Sequence, residues 1–405
     1  MSFPVFVILT AEALFALWLL NREGLLKKSS YFLSSLILIS AAFLFRALVL
    51  DYRTLDYEDF LHHWVEFFRQ NGGFKALAKP IGNYNVPYLY FLALFSYLPV
   101  NDLHLIKLLS ILFDVLLAYG VMKLLSLTEK SPLALIGCFI SVLYLPTVFL
   151  NGAVWGQCDS IYVALALLGI YCALTDRPCI SMLLAALSFG FKLQAVFILP
   201  VYAVLWFMGK FNWKHFFLFP LFYVILVLPA VIIGRPFMDT LTLYLNQTGS
   251  IGSGLSYSAP SVFSIFYGVS NEALAAKIGI IAAFVFMFAV LGLAYFKRRE
   301  LETDAVLWAA LLFTLGIPFL LPHMHERYFF AADIMCLLLA FTVPRLAAAV
   351  FLSQFASFLG YYAYFNRVYL LTMNYGGWAV LLLIITSSVF YIFSLTKKKL
   401  KKFEI

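Results

Sequence analysis

Twelve long apolar runs divide this chain, and they restrict what it can fold into more than any other feature. A helix needs roughly 20 apolar residues to cross a bilayer, and only helices and closed barrels can cross one. We therefore predict an all-α polytopic membrane protein with about 11–13 transmembrane helices. The runs lie at about 3–21, 31–50, 104–126, 133–150, 158–175, 179–208, 214–233, 275–296, 303–321, 328–344, 346–365 and 377–396.

Composition supports the same class of protein. Charged residues make up 12% of the chain and its mean hydropathy is +0.95, whereas soluble domains carry about 25% charged residues. We expect a single integral-membrane domain over residues 1–405. The basic residues lie in short loops between apolar runs, so the net charge of +8 indicates membrane topology and not nucleic-acid binding. The five cysteines show no CxxC spacing, and they predict neither a disulfide framework nor a zinc site.

Several charged residues fall inside or beside the apolar runs. The run 179–208 is too long for one straight span and contains Lys192, which predicts a broken helix there. Charged side chains are expensive at a bilayer centre, so most of them should face the interior of the bundle. For Glu12, Arg46 and Asp114, we expect structural pairing.

The short-loop lysines and arginines set an orientation when they are placed together on the cytoplasmic side. Five segments then lie outside: 51–102, 151–157, 235–272, 322–327 and 362–377.

Two of the connecting segments have their own predicted roles. The loop 235–272 is rich in Gly, Ser and Tyr, which suits a mobile substrate-covering loop or an ordinary surface loop. It contains the glycosylation sequon Asn246-Gln247-Thr248. The basic tail 397–405 is predicted to be cytoplasmic.

The segment 51–102 is the most polar part of the chain. Aromatic residues recur every three to four positions from Asp56 to Gln70, which predicts an amphipathic helix. Asn71-Gly72-Gly73 should end it. The helix is too polar to cross a bilayer, so we expect it to lie on the membrane surface. Val86–Leu98 is predicted to form a second interfacial helix.

Three polar clusters fall on the predicted outer face: Asp56–Glu66, Val154–Ser160 and His323–Tyr328. Together with Lys192 they suit sugar transfer from a lipid phosphate. A carboxylate can take the proton of an attacking hydroxyl, and cations or hydrogen-bond donors can hold the leaving phosphate. A proton-coupled transporter would use the same residue types. The histidine spacings are not those of a standard zinc site, and we predict no metal.

At these residues the chain resembles the GT-C superfamily of polyprenyl-phosphate-sugar glycosyltransferases. It is most similar to glycosyltransferase family 57, the dolichyl-phosphate-glucose glucosyltransferases, and their bacterial relatives. The similar motifs follow the same order along residues 50–330. They are Asp56-Tyr57-Glu58 with His63-Trp64, Asn83-Tyr84-Asn85-Val86-Pro87-Tyr88-Leu89, Lys107 to Asp114, Phe191-Lys192-Leu193-Gln194 and His323-Met324-His325-Glu326-Arg327.

The resemblance implies an inverting, metal-independent transfer that needs no cofactor, with Asp56 as the general base. The implied partners are a polyprenyl-phosphate-linked sugar donor, a glycan or lipid-linked acceptor, and membrane lipids. Asn83 stands where the family has an acid, and Arg327 where it has Lys. Short loops favour a bacterial plasma membrane. The candidate substrate-binding residues are Asp59, His63, Tyr84, Trp155, Gln157, Lys192, Gln194, His323, His325, Glu326 and Arg327.

Alternatives remain open at the level of the sequence. Asp56 also suits a helix N-cap, and Asp59 is the second choice for the base. Trp155 equally fits an aromatic belt at the membrane interface, and Asp159 is a candidate partner of Lys192. For the whole chain, the alternative functions are a lipid-linked sugar flippase or secondary transporter and, ranked third, an O-antigen-type polymerase or membrane ligase.

Overall fold

The computed structural model describes residues 2–247, 254–266 and 268–396. This part of the chain is almost entirely helical, with two short strands, Ser256–Tyr257 and Met324–His325. Cα proximity groups the chain into two compact units. The first unit comprises Met1–Tyr171, Cys179–Ala195 and His215–Ser250, and the second comprises Cys172–Pro178, Val196–Lys214 and Ile251–Ile405. The prediction of one domain over the whole chain stays a prediction.

Eight helices in the described residues are long and apolar enough to cross a membrane. This confirms an all-α, multi-pass membrane architecture, while the predicted count of 11–13 helices stays a prediction. The eight are Phe3–Arg22, Ser29–Leu48, Asp102–Leu125, Trp213–Ile233, Glu272–Phe296, Thr303–Leu320, Pro344–Asn366 and Asn374–Ser394.

The remaining helical segments are shorter. The α-helices among them are His62–Gln70, Val86–Phe95, Pro132–Tyr144, Pro146–Phe149, Asp159–Leu174, Pro178–Phe191, Val201–Phe207, Phe237–Leu241, Leu243–Gln247, Val262–Ile265 and Phe330–Thr342. Two π-helical turns occur at Tyr57–Leu61 and Leu150–Trp155. The 3-10 turns Gly73–Ala78, Leu193–Phe197 and Glu326–Phe329 complete the elements that bear on the candidate site.

The apolar run 133–150, one of the predicted candidate spans, is bent in the structure. Its helix ends at Tyr144, Leu145 adopts an extended conformation, and a second helical segment runs from Pro146 to Trp155 at an angle of 49° to the first. Proline has no N–H to continue a helix, and it disfavours the helical conformation in the residue before it. Pro146 therefore accounts for the bend. The helical segment that begins at Pro146 ends at Trp155.

The break predicted within 179–208 is confirmed. The helix Pro178–Phe191 ends immediately before Lys192, the 3-10 turn Leu193–Phe197 follows, and the chain resumes an α-helix at Val201–Phe207. The lysine therefore occupies the interruption itself, and 5% of its side chain is exposed.

The predicted helix in the first polar segment is also confirmed, with a π-helical first turn that we did not predict. Trp64 and Phe68 are buried, while Asp59 and His63 are exposed, so the helix is amphipathic in the sense expected. Its C-cap is Asn71, and Gly72 follows with φ +84. Glycine adopts this left-handed conformation without steric cost, which ends the helix where the sequence indicated.

The first polar segment folds onto the membrane helices of its own unit. Trp64, Phe68 and Leu89 share one apolar core with Ile106 and Phe191 from longer helices. Burying a large apolar side chain contributes roughly 1.5–3 kcal/mol. The same core includes Tyr57, the residue that follows the candidate catalytic residue Asp56.

In the second unit, the two strands pair in parallel, with Ser256 opposite Met324 and Tyr257 opposite His325. Leu320 ends the helix that precedes the second strand, and residues 305–319 of that helix are buried. The described parts of the loop 235–272 contain three short helices and the first strand. Two predicted features, the complete Asn246-Gln247-Thr248 sequon and the basic tail 397–405, lie outside the described residues.

Candidate active site

Asp56 lies at the entrance to the first π-helical turn, and its carboxylate is held by two side chains from a distant segment. Oδ2 accepts hydrogen bonds from Trp155 Nε1 at 3.0 Å and from Gln157 Nε2 at 2.8 Å. An indole N–H can only donate, so Oδ2 is the acceptor in that contact. The first two predicted polar clusters therefore meet at this carboxylate.

The alternative role of Asp56 as a helix N-cap does not agree with the structure. Asp56 precedes Tyr57–Leu61, but its backbone is already helical (φ −58, ψ −34) and its side chain makes no capping hydrogen bond. An N-cap residue has non-helical dihedrals, and its side-chain oxygen accepts from a backbone N–H one turn along. The carboxylate is thus turned toward Trp155 and Gln157.

Trp155 is fully buried, which contradicts its alternative placement in an exposed aromatic belt. It ends the second π-helical turn, and Gly156 follows with φ +79. A β-carbon on Gly156 would lie 3.3 Å from Ile106 Cγ2, so the turn passes close to a neighbouring helix. π-Helical turns are rare and occur often at functional sites; here one such turn begins directly after Asp56 and the other ends at Trp155.

Gln157 connects Asp56 to two further candidate residues. Its Oε1 accepts from Tyr84 Oη at 3.1 Å and from Lys192 Nζ at 3.4 Å. Its backbone carbonyl accepts from Ser110 Oγ at 2.7 Å. Gln157 is 3% exposed, so these bonds fix its side chain and, through it, the orientation of Asp56.

Lys192 forms a buried ion pair with Asp159. Nζ lies 2.6 Å from Asp159 Oδ1, and the other carboxylate oxygen accepts from Asn151 Nδ2 at 2.8 Å. This confirms Asp159 as the partner of Lys192. The network of Asp56, Lys192 and Asp159 contains two carboxylates and one ammonium group, so the positive charge of Lys192 is already balanced.

A second buried ion pair joins Arg46 to Asp114, two residues for which we predicted structural pairing without naming a partner. Arg46 donates to Asp114 Oδ2 at 3.0 Å, and Ser160 Oγ donates to Oδ1 at 2.6 Å. Gly152, in the second π-helical turn, packs so closely that an added β-carbon would lie 3.0 Å from Asp114 Oδ2. This pair therefore supports the segment that carries Trp155 and Gln157.

Three predicted substrate-binding residues of the first unit lie outside the hydrogen bonds described above. Asp59 and His63 are exposed, on the outer side of the first polar helix, and Gln194 is half-buried on the 3-10 turn Leu193–Phe197. Their roles remain predictions.

Sequence reasoning did not identify a neighbouring cluster in the first unit. Tyr57 Oη donates to Asp102 Oδ2 at 3.1 Å, and His62 Nδ1 lies 2.8 Å from the same oxygen. Burial, and then the negative charge of Asp102, raise the pKa of Tyr57. The cluster ties the first π-helical turn to the start of the helix Asp102–Leu125. The polar residues themselves were visible in the sequence, but their separation of about 40 positions hid the contact.

The third predicted cluster forms a separate group in the second unit. His323 has a left-handed backbone (φ +63). Its Nδ1 lies 2.7 Å from the carbonyl oxygen of Gly254, and its backbone N–H donates to Leu255 O at 2.8 Å. His325 stacks on Tyr257, with ring centroids 4.8 Å apart and planes at 16°. Pairing with the strand Ser256–Tyr257 thus fixes both histidines.

Glu326 and Arg327 form an adjacent ion pair, with Arg327 Nη1 2.9 Å from Glu326 Oε1. Burial alone would raise the pKa of Glu326. The hydrogen-bonding and positive charge of His325 and Arg327 outweigh it, and they hold the pKa below its ordinary value. Glu326 is therefore a carboxylate at neutral pH, placed to orient the arginine.

Among residues 2–247, 254–266 and 268–396, no group of three or more His, Cys, Asp or Glu side chains is arranged to hold a metal ion. No protein-family model matches this chain, and no curated protein sequence matches it.

Proposed function

We propose that this protein is an integral-membrane, inverting glycosyltransferase. It moves a hexose, with glucose or mannose favoured, from a polyprenyl-phosphate donor to a hydroxyl of a lipid-linked or cell-envelope glycan. The reaction takes place on the extracytoplasmic face of a bacterial plasma membrane. The observation that carries the proposal is the carboxylate of Asp56, which is oriented by Trp155 and Gln157 and not used as a helix cap.

In the proposed reaction, an acceptor hydroxyl oxygen attacks the anomeric carbon of the donor sugar. The bond from that carbon to the lipid phosphate breaks, and its electron pair leaves with the phosphate. Asp56 takes the hydroxyl proton, as a general base does when its carboxylate is within hydrogen-bonding reach. Attack from the side opposite the leaving phosphate inverts the anomeric centre.

The neighbours of Asp56 act as positioning residues in this proposal. The donors on Trp155 and Gln157 hold the carboxylate in one orientation, and Tyr84 and Lys192 hold Gln157 in turn. Because Asp159 balances its charge, Lys192 is better suited to this role than to holding a phosphate. Misplacing a catalytic group by about 1 Å can cost 100-fold in rate, so such support matters.

We assign the leaving phosphate to His323, His325 and Arg327. Arginine and imidazole donate to phosphate oxygens, and fixed donors stabilise charge that develops as the bond breaks. Glu326 keeps Arg327 oriented through their 2.9 Å contact. The resemblance of His323-Met324-His325-Glu326-Arg327 to the family motif also supports this assignment.

The test is sugar transfer by the purified full chain in detergent, with EDTA present. Polyprenyl-phosphate-glucose and polyprenyl-phosphate-mannose are supplied as donors, with a crude acceptor extract. Native protein is compared with Asp56→Asn, and removing a general base should lower the rate by about 10²–10⁴-fold. Glu58→Gln is the matched control, because Glu58 lies two positions after Asp56 in the turn Tyr57–Leu61 and 49% of its side chain is exposed.

Full activity in Asp56→Asn would remove Asp56 as the base, and loss of activity in Asp59→Asn would then assign Asp59. Loss in Glu58→Gln as well would indicate that any change in this helix disrupts the protein. Activity that disappears with EDTA would contradict the metal-independent mechanism.

A lipid-linked sugar flippase or secondary transporter is the second candidate. One observation favours it: the helix interrupted at Lys192, with a buried Lys192–Asp159 ion pair at the break. Transporters use discontinuous helices of this kind at their binding sites. In liposomes, movement of a fluorescent polyprenyl-linked sugar between leaflets without transfer to an acceptor would support this candidate against the enzyme.

A further inference from the structure

We propose that a cavity in the second unit binds the sugar chain of the acceptor, as a site for uncharged polyols. This inference rests on the proposed function, because it assigns the acceptor of that same reaction. The described lining residues of the cavity belong to none of the motifs that suggested the function.

The cavity has a volume of about 730 Å³, within the range of about 300–1,000 Å³ that small-molecule sites occupy. Its polar lining is rich in hydroxyl groups, with one amide and one carboxylate among the described lining residues. Those side chains are Ser256, Ser258, Ser264, Tyr369, Thr372, Asn374 and Glu272.

The chemistry of this lining selects the class of ligand. No lysine or arginine belongs to the described lining, and Glu272 adds a negative charge. The cavity is therefore unsuited to a phosphate or diphosphate. Hydroxyl groups both donate and accept, and carboxylates accept strongly. That combination matches a neutral ligand with many hydroxyl groups.

Two exposed aromatic rings complete the match to a sugar. Phe266 is 63% exposed and Tyr369 is 59% exposed, and both line the cavity. An aromatic ring offers a rigid apolar surface at low entropic cost, and tyrosine adds a polar tip. A pyranose ring likewise has apolar C–H faces and polar edges. Tyr369 Oη lies 3.1 Å from Ser258 Oγ, which orients the ring at the cavity wall.

The same segment of chain lines the cavity and holds the proposed phosphate-binding histidines. Gly254, Leu255 and Ser256 line the cavity. His323 is hydrogen-bonded through Nδ1 to the carbonyl oxygen of Gly254 and through its backbone N–H to that of Leu255. Ser256 pairs with Met324. A ligand in the cavity therefore contacts the strand that positions the histidine group.

The described lining residues all come from the stretches 254–272 and 369–374. Both stretches lie in segments that the distribution of lysine and arginine predicts on the extracytoplasmic side. The cavity is thus expected on the face where a cell-envelope glycan would be available.

The experiment measures binding of maltotriose and mannotriose to the purified full chain by saturation-transfer difference NMR, without a donor. Tyr369→Ala removes an exposed ring and a hydroxyl, and it should weaken binding of one of these sugars about tenfold. Glu272→Gln should weaken it less. Leu371→Ala is the matched control, because Leu371 is an exposed residue of the same loop outside the described lining.

In transfer assays, Tyr369→Ala should raise the KM for the acceptor and leave the KM for the donor unchanged. Sugar binding without any transfer would support the sugar-binding cavity and contradict the proposed glycosyltransferase function. Transfer by Tyr369→Ala with an unchanged KM for the acceptor would contradict only the proposal that the cavity binds the acceptor. The proposal is also overturned if neither sugar binds, if Leu371→Ala weakens binding equally, or if farnesyl phosphate displaces the sugar from this loop.

Discussion

The two groups of candidate residues are held in place by different means. In the first unit, the side chains of Trp155 and Gln157 donate the hydrogen bonds that orient Asp56. Both donor side chains are buried. In the second unit, His323 is fixed by its backbone N–H and by a bond to a backbone carbonyl. His325, with 37% of its side chain exposed, lies in the paired strand Met324–His325.

This difference predicts how each group responds to substitution. A buried polar side chain that loses its partner bears the full cost of desolvation, whereas an exposed one regains water. The first group should therefore tolerate few changes. The second group should keep its geometry when a side chain is replaced, because backbone hydrogen bonds hold it in place.

The largest expected effect comes from breaking the buried ion pair of the first unit. Lys192→Met leaves Asp159 buried without its cation and should lower the free energy of unfolding by about 3–5 kcal/mol. Lys210→Met is the control: that lysine pairs with Asp176, whose side chain is 79% exposed. The control should lose less than about 1 kcal/mol. Denaturant unfolding of both purified variants makes the measurement, and equal losses would contradict the comparison.

A smaller effect is expected from the left-handed turn beside Trp155. Gly156→Ala places a β-carbon on a residue with φ +79, which costs about 1–2 kcal/mol and should also slow transfer by moving Trp155. His323→Gly tests the other unit. It loses one hydrogen bond but relieves a similar strain, so the two changes of about 1 kcal/mol each should nearly cancel. Gly156→Ala should therefore unfold at a lower temperature than His323→Gly. The opposite order in thermal unfolding would refute this expectation.

Removing one hydroxyl should have a still smaller effect. Tyr84→Phe deletes the bond to Gln157 Oε1 and should cost about 0.5–1.5 kcal/mol, with a modest fall in the transfer rate. Tyr257→Phe keeps the ring stacked on His325 but deletes the hydrogen bond that Gly254 N–H donates to Tyr257 Oη. Because the backbone bonds of His323 remain, it should lower the transfer rate less than Tyr84→Phe does. A slower rate in Tyr257→Phe alone would mean that the second group is the more sensitive one.

The last effect is confined to acid pH. The pKa of Glu326 is lower in the folded chain than its ordinary value of 4.5, so the folded state binds fewer protons there. Its contribution to stability is present above pH 4.5 and is lost as the pH falls through the lowered value. Glu326→Gln should flatten this part of the stability profile. An unchanged slope would show that other carboxylates cause it.

Local patterns in the sequence predicted much of the fold. The apolar runs indicated the spanning helices, Lys192 marked the break in 179–208, and Asn71-Gly72-Gly73 marked the end of the first polar helix. These features depend on residues that are close in sequence and on the free-energy cost of burying a charged side chain. Both can be judged from the sequence alone. The bend after Leu145 was readable too, because Pro146 requires it, but the continuous hydrophobicity of the run concealed it.

The contacts of the candidate site were beyond such reasoning. Nothing local indicates that Asp56 meets Trp155 and Gln157, which lie about 100 positions later. Residue types suggested the participants, but only packing in three dimensions distinguished the held carboxylate of Asp56 from the exposed one of Asp59.

The sequence by itself determined that this chain is a helical, multi-pass membrane protein with polar segments between its spans. Apolar length and charge placement are sufficient for that, because the bilayer accepts few other structures. Tertiary structure alone decided the two π-helical turns and the Lys192–Asp159 pair beside Gln157. It also decided the strand pairing that fixes His323 and His325. Each depends on segments distant in sequence, where the gain from burying and pairing polar groups outweighs local conformational preference.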